Sequence, residues 1–182
     1  MNTLPIQVVP ALPTLKQVLW RSGCPPHKAG SDIEHSASYA LDTLAELSGD
    51  AGNGVLLFDT AGRPSFLEGI WPERRITLLI ATLGEKVDTL LAGPATLNRF
   101  MLDSAASVAV ETYMKTLQAA VAEYLNMVPT KRIAPGYGDF PLSAQKEIIK
   151  LFPDSGVVCN ESFMLTPIKS MTGVTGWIPQ NN

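Results

Sequence analysis

The sequence predicts an α+β domain in which a mixed or antiparallel twisted sheet packs against helices, and three observations carry that prediction. Ile76 to Leu83 is a near-continuous apolar run of strand length, the mark of a strand covered on both faces. Ala95 to Met127 contains neither glycine nor proline, so it reads as one long helix or two joined ones. Elsewhere helical and extended stretches mix without the regular strand–helix–strand rhythm of a parallel sheet. With 182 residues, 46% of them apolar, the chain reads as one domain over 1–182 with a real core.

Fourteen glycines and fourteen prolines keep the remaining elements short. A strand is expected at Ile6 to Val9 and a helix at Leu15 to Trp20, followed by a loop through Cys24-Pro25-Pro26-His27. Ser31 is the expected cap of a second helix, with Glu34 completing a capping box. Ile33, Ala37, Leu41, Leu44 and Leu47 recur at helical spacing before Gly49 ends it. Val55 to Phe58 and Ser65 to Leu67, joined through Asp59 to Arg63, read as a hairpin or two adjacent strands. Glu85 to Leu91 reads as helix, broken by Gly93-Pro94. In the second half of the long helix Val110, Met114, Leu117, Val121 and Tyr124 form an apolar stripe, and Pro129 closes the segment. A loop runs through Pro141. Ser143 is the expected cap of a helix to Phe152, a strand follows at Val157 to Leu165, and the tail is rich in Gly, Thr and Pro.

Several function classes are excluded. Charged residues are only 17% of the chain and the net charge is −3, without the Lys/Arg surplus that phosphate backbones demand, so no nucleic acid is expected. The longest apolar run is strand-sized and the N-terminus lacks a basic segment before an apolar one, so neither membrane nor secretion is expected and a cytoplasmic location is. Cys24 and Cys159 are expected as free thiols. Gly49, Gly52 and Gly54 precede a strand and are followed by no helix N-terminus, so they read as a loop rather than a phosphate cradle. Cys24, His27 and His35 lack the spacing and the fourth ligand of a metal site, and the two histidines sit in no nucleophile turn.

Two features remain. Asp103 and Glu111 lie about 80° apart around the long helix and share a flank, ordinarily a solvated one. Glu111 has Val108, Ala109, Val110 and Met114 around it, a setting in which a carboxylate can face a pocket and take a cation. The richer segment is Lys131-Arg132-Ile133-Ala134-Pro135-Gly136-Tyr137-Gly138-Asp139-Phe140-Pro141. Pro135 stiffens it, Gly136 permits close backbone approach, Tyr137 offers a flat ring, and Arg132 offers a planar fork for a carboxylate. Such a loop suits a small, partly aromatic, carboxylate-bearing ligand, although a plain structural turn also accounts for it.

That segment, followed by Glu161-Ser162-Phe163-Met164-Leu165-Thr166-Pro167 and by Ser170-Met171-Thr172-Gly173-Val174-Thr175-Gly176-Trp177, resembles the activation (reactivation) domain of cobalamin-dependent methionine synthase. The likeness covers 131–177, about a quarter of the chain, and the Arg-x-Ala-Pro-Gly-Tyr run at Arg132 to Tyr137 is its most specific part. Gln145 and Lys169-Ser170-Met171 resemble the short free-standing relatives of that domain.

The resemblance implies an activation-domain-like fold and S-adenosylmethionine as methyl donor. Arg132 would hold the amino-acid carboxylate, the backbone of Ala134, Pro135, Gly136 and Gly138 would meet the adenine, and Tyr137 would border the ligand. Glu111 would be the helix glutamate near it. The resemblance implies no covalent chemistry by the chain itself: it presents the ligand to a cobalamin held by a corrinoid methyltransferase partner, with a flavoprotein supplying the electron. No Asp-x-His-x-x-Gly motif is present, so cobalamin would arrive only on that partner. The chain is shorter than the family's domain, so the ligand site would be incomplete, shared across a homodimer, or lost. The alternative is a ligand-binding or regulatory scaffold of the same fold serving another methyl-transfer system; an independent methyltransferase lacks a dinucleotide-type Gly-rich turn to support it.

Overall fold

A computed structural model describes residues 2–180. Its frame is a five-stranded antiparallel sheet in the order β1-β2-β3-β7-β4. β1 is Asn2–Thr3, β2 Gly52–Asp59, β3 Arg75–Thr82, β4 Met127–Pro129 and β7 Ser170–Pro179, while β5 (Val158–Cys159) and β6 (Leu165–Thr166) form a separate small pair. The helices are α1 (Leu15–Arg21), α2 (Ser31–Leu47), α3 (Glu85–Leu91), α4 (Leu97–Leu125) and α5 (Ala144–Lys150).

The sheet is buried on both faces, which is why β3 is apolar almost throughout. One face carries Val55, Leu57, Leu79, Ala81 and Trp177 into a core with α1, α2 and α4. The other carries Leu56, Phe58, Ile76, Leu78, Ile80 and Val174 against Leu67, Trp71, Phe140 and α5. Trp177 is buried, and its indole N–H donates to Thr77 Oγ1 at 3.1 Å across the β3–β7 pair. Satisfying that donor inside the core lets so large a ring fill it.

α4 is one unbroken helix. The Thr96 side chain accepts from Arg99 N at its start, and Asn126 closes it in the left-handed conformation with φ 50°. The expected stripe is buried from Val110 to Val121, but Tyr124 lies exposed beyond the core. Cys24 and Cys159 are both free; burial pushes the Cys159 thiol up, against the opposing charge of Lys146.

Four expectations are corrected, and the tail, for which the sequence predicts no element, is placed. Ile6 to Val9 is no strand: Pro5 has no N–H to continue the ladder, and the Asn53 side chain pins the segment instead, donating to Ile6 O (2.8 Å) and accepting from Val8 N (3.2 Å). Ser65 to Leu67 is a single 3-10 turn that tucks Leu67 and, further on, Trp71 into the second core, so β2 pairs with β3 rather than closing a hairpin. Gly52 and Gly54 lie within β2, not in a loop, and Gly54 leaves the space filled by the Phe152 ring. Val157 to Leu165 is split by a turn whose centre is Asn160, its side-chain oxygen accepting from Ser162 N and Met164 N, both at 2.9 Å. The Gly/Thr/Pro-rich tail is β7, a central strand of the sheet. Two caps also differ. α2 starts at Ser31 itself, with Gly30 O accepting from Glu34 N, and Ser143 makes no side-chain cap bond to α5.

Candidate functional site

Beyond β4 the chain keeps to the edge of β7. Thr130 N donates to Gly176 O at 2.8 Å, and Ile133 and Val174 exchange backbone bonds of 3.0 and 2.8 Å. Ile133 is pinned, so its neighbour Arg132 alternates toward the α4 side of the sheet. The arginine stem lies directly on Gly173, where a Cβ would come within 2.7 Å of Arg132 Cδ. Only glycine leaves that room. The guanidinium is held by α4: Nη1 donates to Gln118 Oε1 at 2.9 Å and to Met114 O at 3.3 Å. Burial lowers the pKa of Arg132, and the charge of Glu111 works against that shift. Among the described residues no carboxylate lies within ion-pair distance of it.

The following loop is shaped by its own turns. Gly136, at φ 91°, donates its N–H to Phe140 O at 2.8 Å, and Tyr137 N donates to Ala134 O at 3.2 Å. Phe140 is buried edge-on against Trp71, with ring centroids 5.1 Å apart, and roots the loop in the second core. Tyr137 is left on the rim, 70% exposed.

α4, this loop and the start of β7 enclose a cleft of about 980 Å³. Arg132, Ala134, Tyr137, Gly138 and Glu111 line it, whereas Pro135 and Gly136 do not. The Glu111 carboxylate does not sit in an apolar setting as expected. It is about half exposed and bonded to Lys115 at 3.0 Å one turn along α4. Its charge still acts on Arg132 across the cleft.

At the other end lies a group that sequence reasoning left without a role. Lys169 is buried, its side chain 9% exposed; its ammonium contacts Asp103 Oδ1 at 2.8 Å and Ser107 Oγ at 2.8 Å. Asp103 is half-exposed, as the reading of a solvated flank has it, and is also the partner of a cleft lysine. Beside it Ser170 Oγ donates to Thr82 Oγ1 at 2.8 Å, and Gln145 Nε2 donates to Thr172 Oγ1 at 2.9 Å on the sheet face away from α4. The legible signal was the row Asp103, Ser107, Glu111 at four-residue spacing on α4: Ser107 and Glu111 line the cleft, and Asp103, outside its lining, pairs with its lysine. Cys24, His27 and His35 do not line the cleft, and the His35 ring lies 3.1 Å from Ser31 O. No helix of the described residues is long and apolar enough to cross a membrane.

No protein-family model matches the sequence, and no curated protein does. A solved structure, the crystal structure of the MetH reactivation domain bound to AdoHcy, is similar in fold: the match covers 100% of this chain and 80% of that one, with a TM-score of 0.67 and 17% sequence identity. The chain therefore has the reactivation-domain fold, five-stranded antiparallel sheet included.

Proposed function

We propose that this chain is an S-adenosylmethionine-binding accessory module that presents the ligand to a partner rather than transforming it. The observation that carries the reading is Arg132, a desolvated cation seated on Gly173 and facing a ligand-sized cleft without a carboxylate partner. A cation in that state is completed by an incoming carboxylate. The ligand's carboxylate would meet Arg132, its positive ammonium or sulfonium would lie toward Glu111, and its aromatic base would lie along Tyr137 and the Ala134–Gly138 loop. The solved relative of this fold carries AdoHcy, which supports the same ligand class here.

The partner in this reading is a corrinoid methyltransferase of the methionine synthase type. It would hold cobalamin, and a flavoprotein would supply the electron for reductive remethylation. When bound, S-adenosylmethionine supplies the methyl group; the chain's own residues bind and orient it.

Calorimetry tests the ligand assignment. The wild type is expected to bind S-adenosylmethionine and S-adenosylhomocysteine, and Arg132→Ala to weaken both by at least about tenfold through loss of a charge-assisted contact. A folded wild type that binds neither overturns the reading. Co-purification with a cobalamin-loaded methyltransferase, strengthened by added ligand, tests the partner assignment.

A further inference from the structure

Four cations line the cleft, Arg21, Lys131, Arg132 and Lys169, and the structure treats Arg132 and Lys169, the two bonded to α4, differently. Among the described residues Arg132 donates only to neutral oxygens, those of Gln118 and Met114. Lys169 is matched by a full carboxylate, Asp103, and by Ser107 Oγ, each at 2.8 Å. Its charge is thereby cancelled at close range, while its side chain is buried. An ammonium has three N–H donors and no acceptor, so one donor remains beyond the two that Asp103 and Ser107 take. A neutralised donor on a buried side chain gains less from a second anion, which would meet the charge of the half-exposed Asp103, than from a neutral acceptor.

From this charge sorting we infer that Lys169 is the nucleoside-recognition residue of the cleft, donating to a neutral acceptor of the nucleoside, a sugar hydroxyl or a ring nitrogen. Arg132 takes the carboxylate at the other end. Asp103 and Ser107 are positioning residues that hold the ammonium and set its preference for uncharged acceptors. Ser107 and Met114 mark the two cations on α4 and lie seven residues apart, about 10 Å along the helix axis. That span is on the order of the separation between carboxylate and ribose in an amino acid joined to a nucleoside through sulfur. The inference rests on the proposed ligand class and adds the residue that reads its nucleoside half.

The test compares S-adenosylhomocysteine with 5′-methylthioadenosine, which keeps the nucleoside and lacks the carboxylate. Lys169→Met, which preserves the stem volume, is expected to weaken both by about tenfold, the loss of one charge-assisted donor. Arg132→Ala is expected to weaken S-adenosylhomocysteine by a larger factor than methylthioadenosine. Unchanged methylthioadenosine affinity in folded Lys169→Met overturns the inference while the ligand class stands. Failure of the wild type to bind either S-adenosylhomocysteine or S-adenosylmethionine overturns both.

Asp103→Asn keeps the donor but removes its neutralising charge, and so remains informative if Lys169→Met does not fold. It is expected to raise the affinity for adenosine 5′-monophosphate relative to methylthioadenosine at least threefold over the wild-type ratio, an effect that loss of structure alone would not produce. An unchanged ratio contradicts the sorting. The 2′-deoxy and 3′-deoxy forms of methylthioadenosine then separate the two acceptors: a loss in either that matches that of Lys169→Met assigns a sugar hydroxyl, and full binding of both assigns the ring, each in support of the inference.

Discussion

Gly173 is the residue on which the position of Arg132 depends. A methyl group there would lie 2.7 Å from Arg132 Cδ and 2.9 Å from Cγ, so the arginine must leave its seat. Because the obstructed atoms belong to a flexible side chain, Gly173→Ala is expected to cost only about 1 kcal/mol of stability while reducing ligand affinity at least tenfold. Denaturant titration beside calorimetry checks the pairing, and wild-type affinity in the variant would contradict it. Tyr113 shows the same dependence of chemistry on burial. Its hydroxyl lies 3.0 Å from Asn53 Oδ1 and 3.1 Å from Val8 O, donating to one at a time, and burial raises its pKa to about 12 from 10.0. An acid whose native pKa is raised stabilises the fold fully below its unfolded pKa and loses that contribution as pH climbs to the native one. Stability is therefore expected to fall by about 2 to 3 kcal/mol between pH 10 and 12 through this group. Denaturant melts of Tyr113→Phe in that window are expected to lack this component; parallel slopes for the two proteins would refute it.

At the scale of elements, α4 is the wall that both ends of the cleft share, and its start is capped by Arg99 N donating to Thr96 Oγ1 at 3.2 Å. Thr96→Ala is expected to cost about 1 kcal/mol in denaturant melts, with ligand affinity little changed because the bond lies beyond Asp103. The elements that sequence makes legible are those whose periodicity survives their context. α4 shows a long stretch free of Gly and Pro, and β3 shows the continuous apolar run of a doubly covered strand. β7 hides because its small residues serve neighbours rather than propensity: Gly173 admits Arg132, and Gly176 admits Glu73. The 6–9 segment and the 157–165 segment hide because side-chain amides, of Asn53 and Asn160, take the bonds that strand partners would have taken. Such tertiary substitutions leave no periodic trace.

At the scale of the molecule, the sheet order seats β7 between β3 and β4, strands far from it in sequence. That order brings together a cleft drawn from separate stretches around Arg21, Gly69, Ser107–Glu111, Lys131–Phe140 and Ile168–Thr172. The loop of Arg132 to Gly138 is readable as a candidate because its chemistry is contiguous. Lys169 with Asp103 is not, since 65 intervening positions separate a pair that only folding joins. The central claim is that this assembled cleft is where an adenosyl amino acid binds. The most direct test is to titrate isotope-labelled protein with S-adenosylhomocysteine and follow its backbone amide resonances. The account predicts saturable shifts at Ala134 to Gly138 and at Lys169 to Thr172, with α2 little moved; shifts centred elsewhere, or none at saturating ligand, would contradict it.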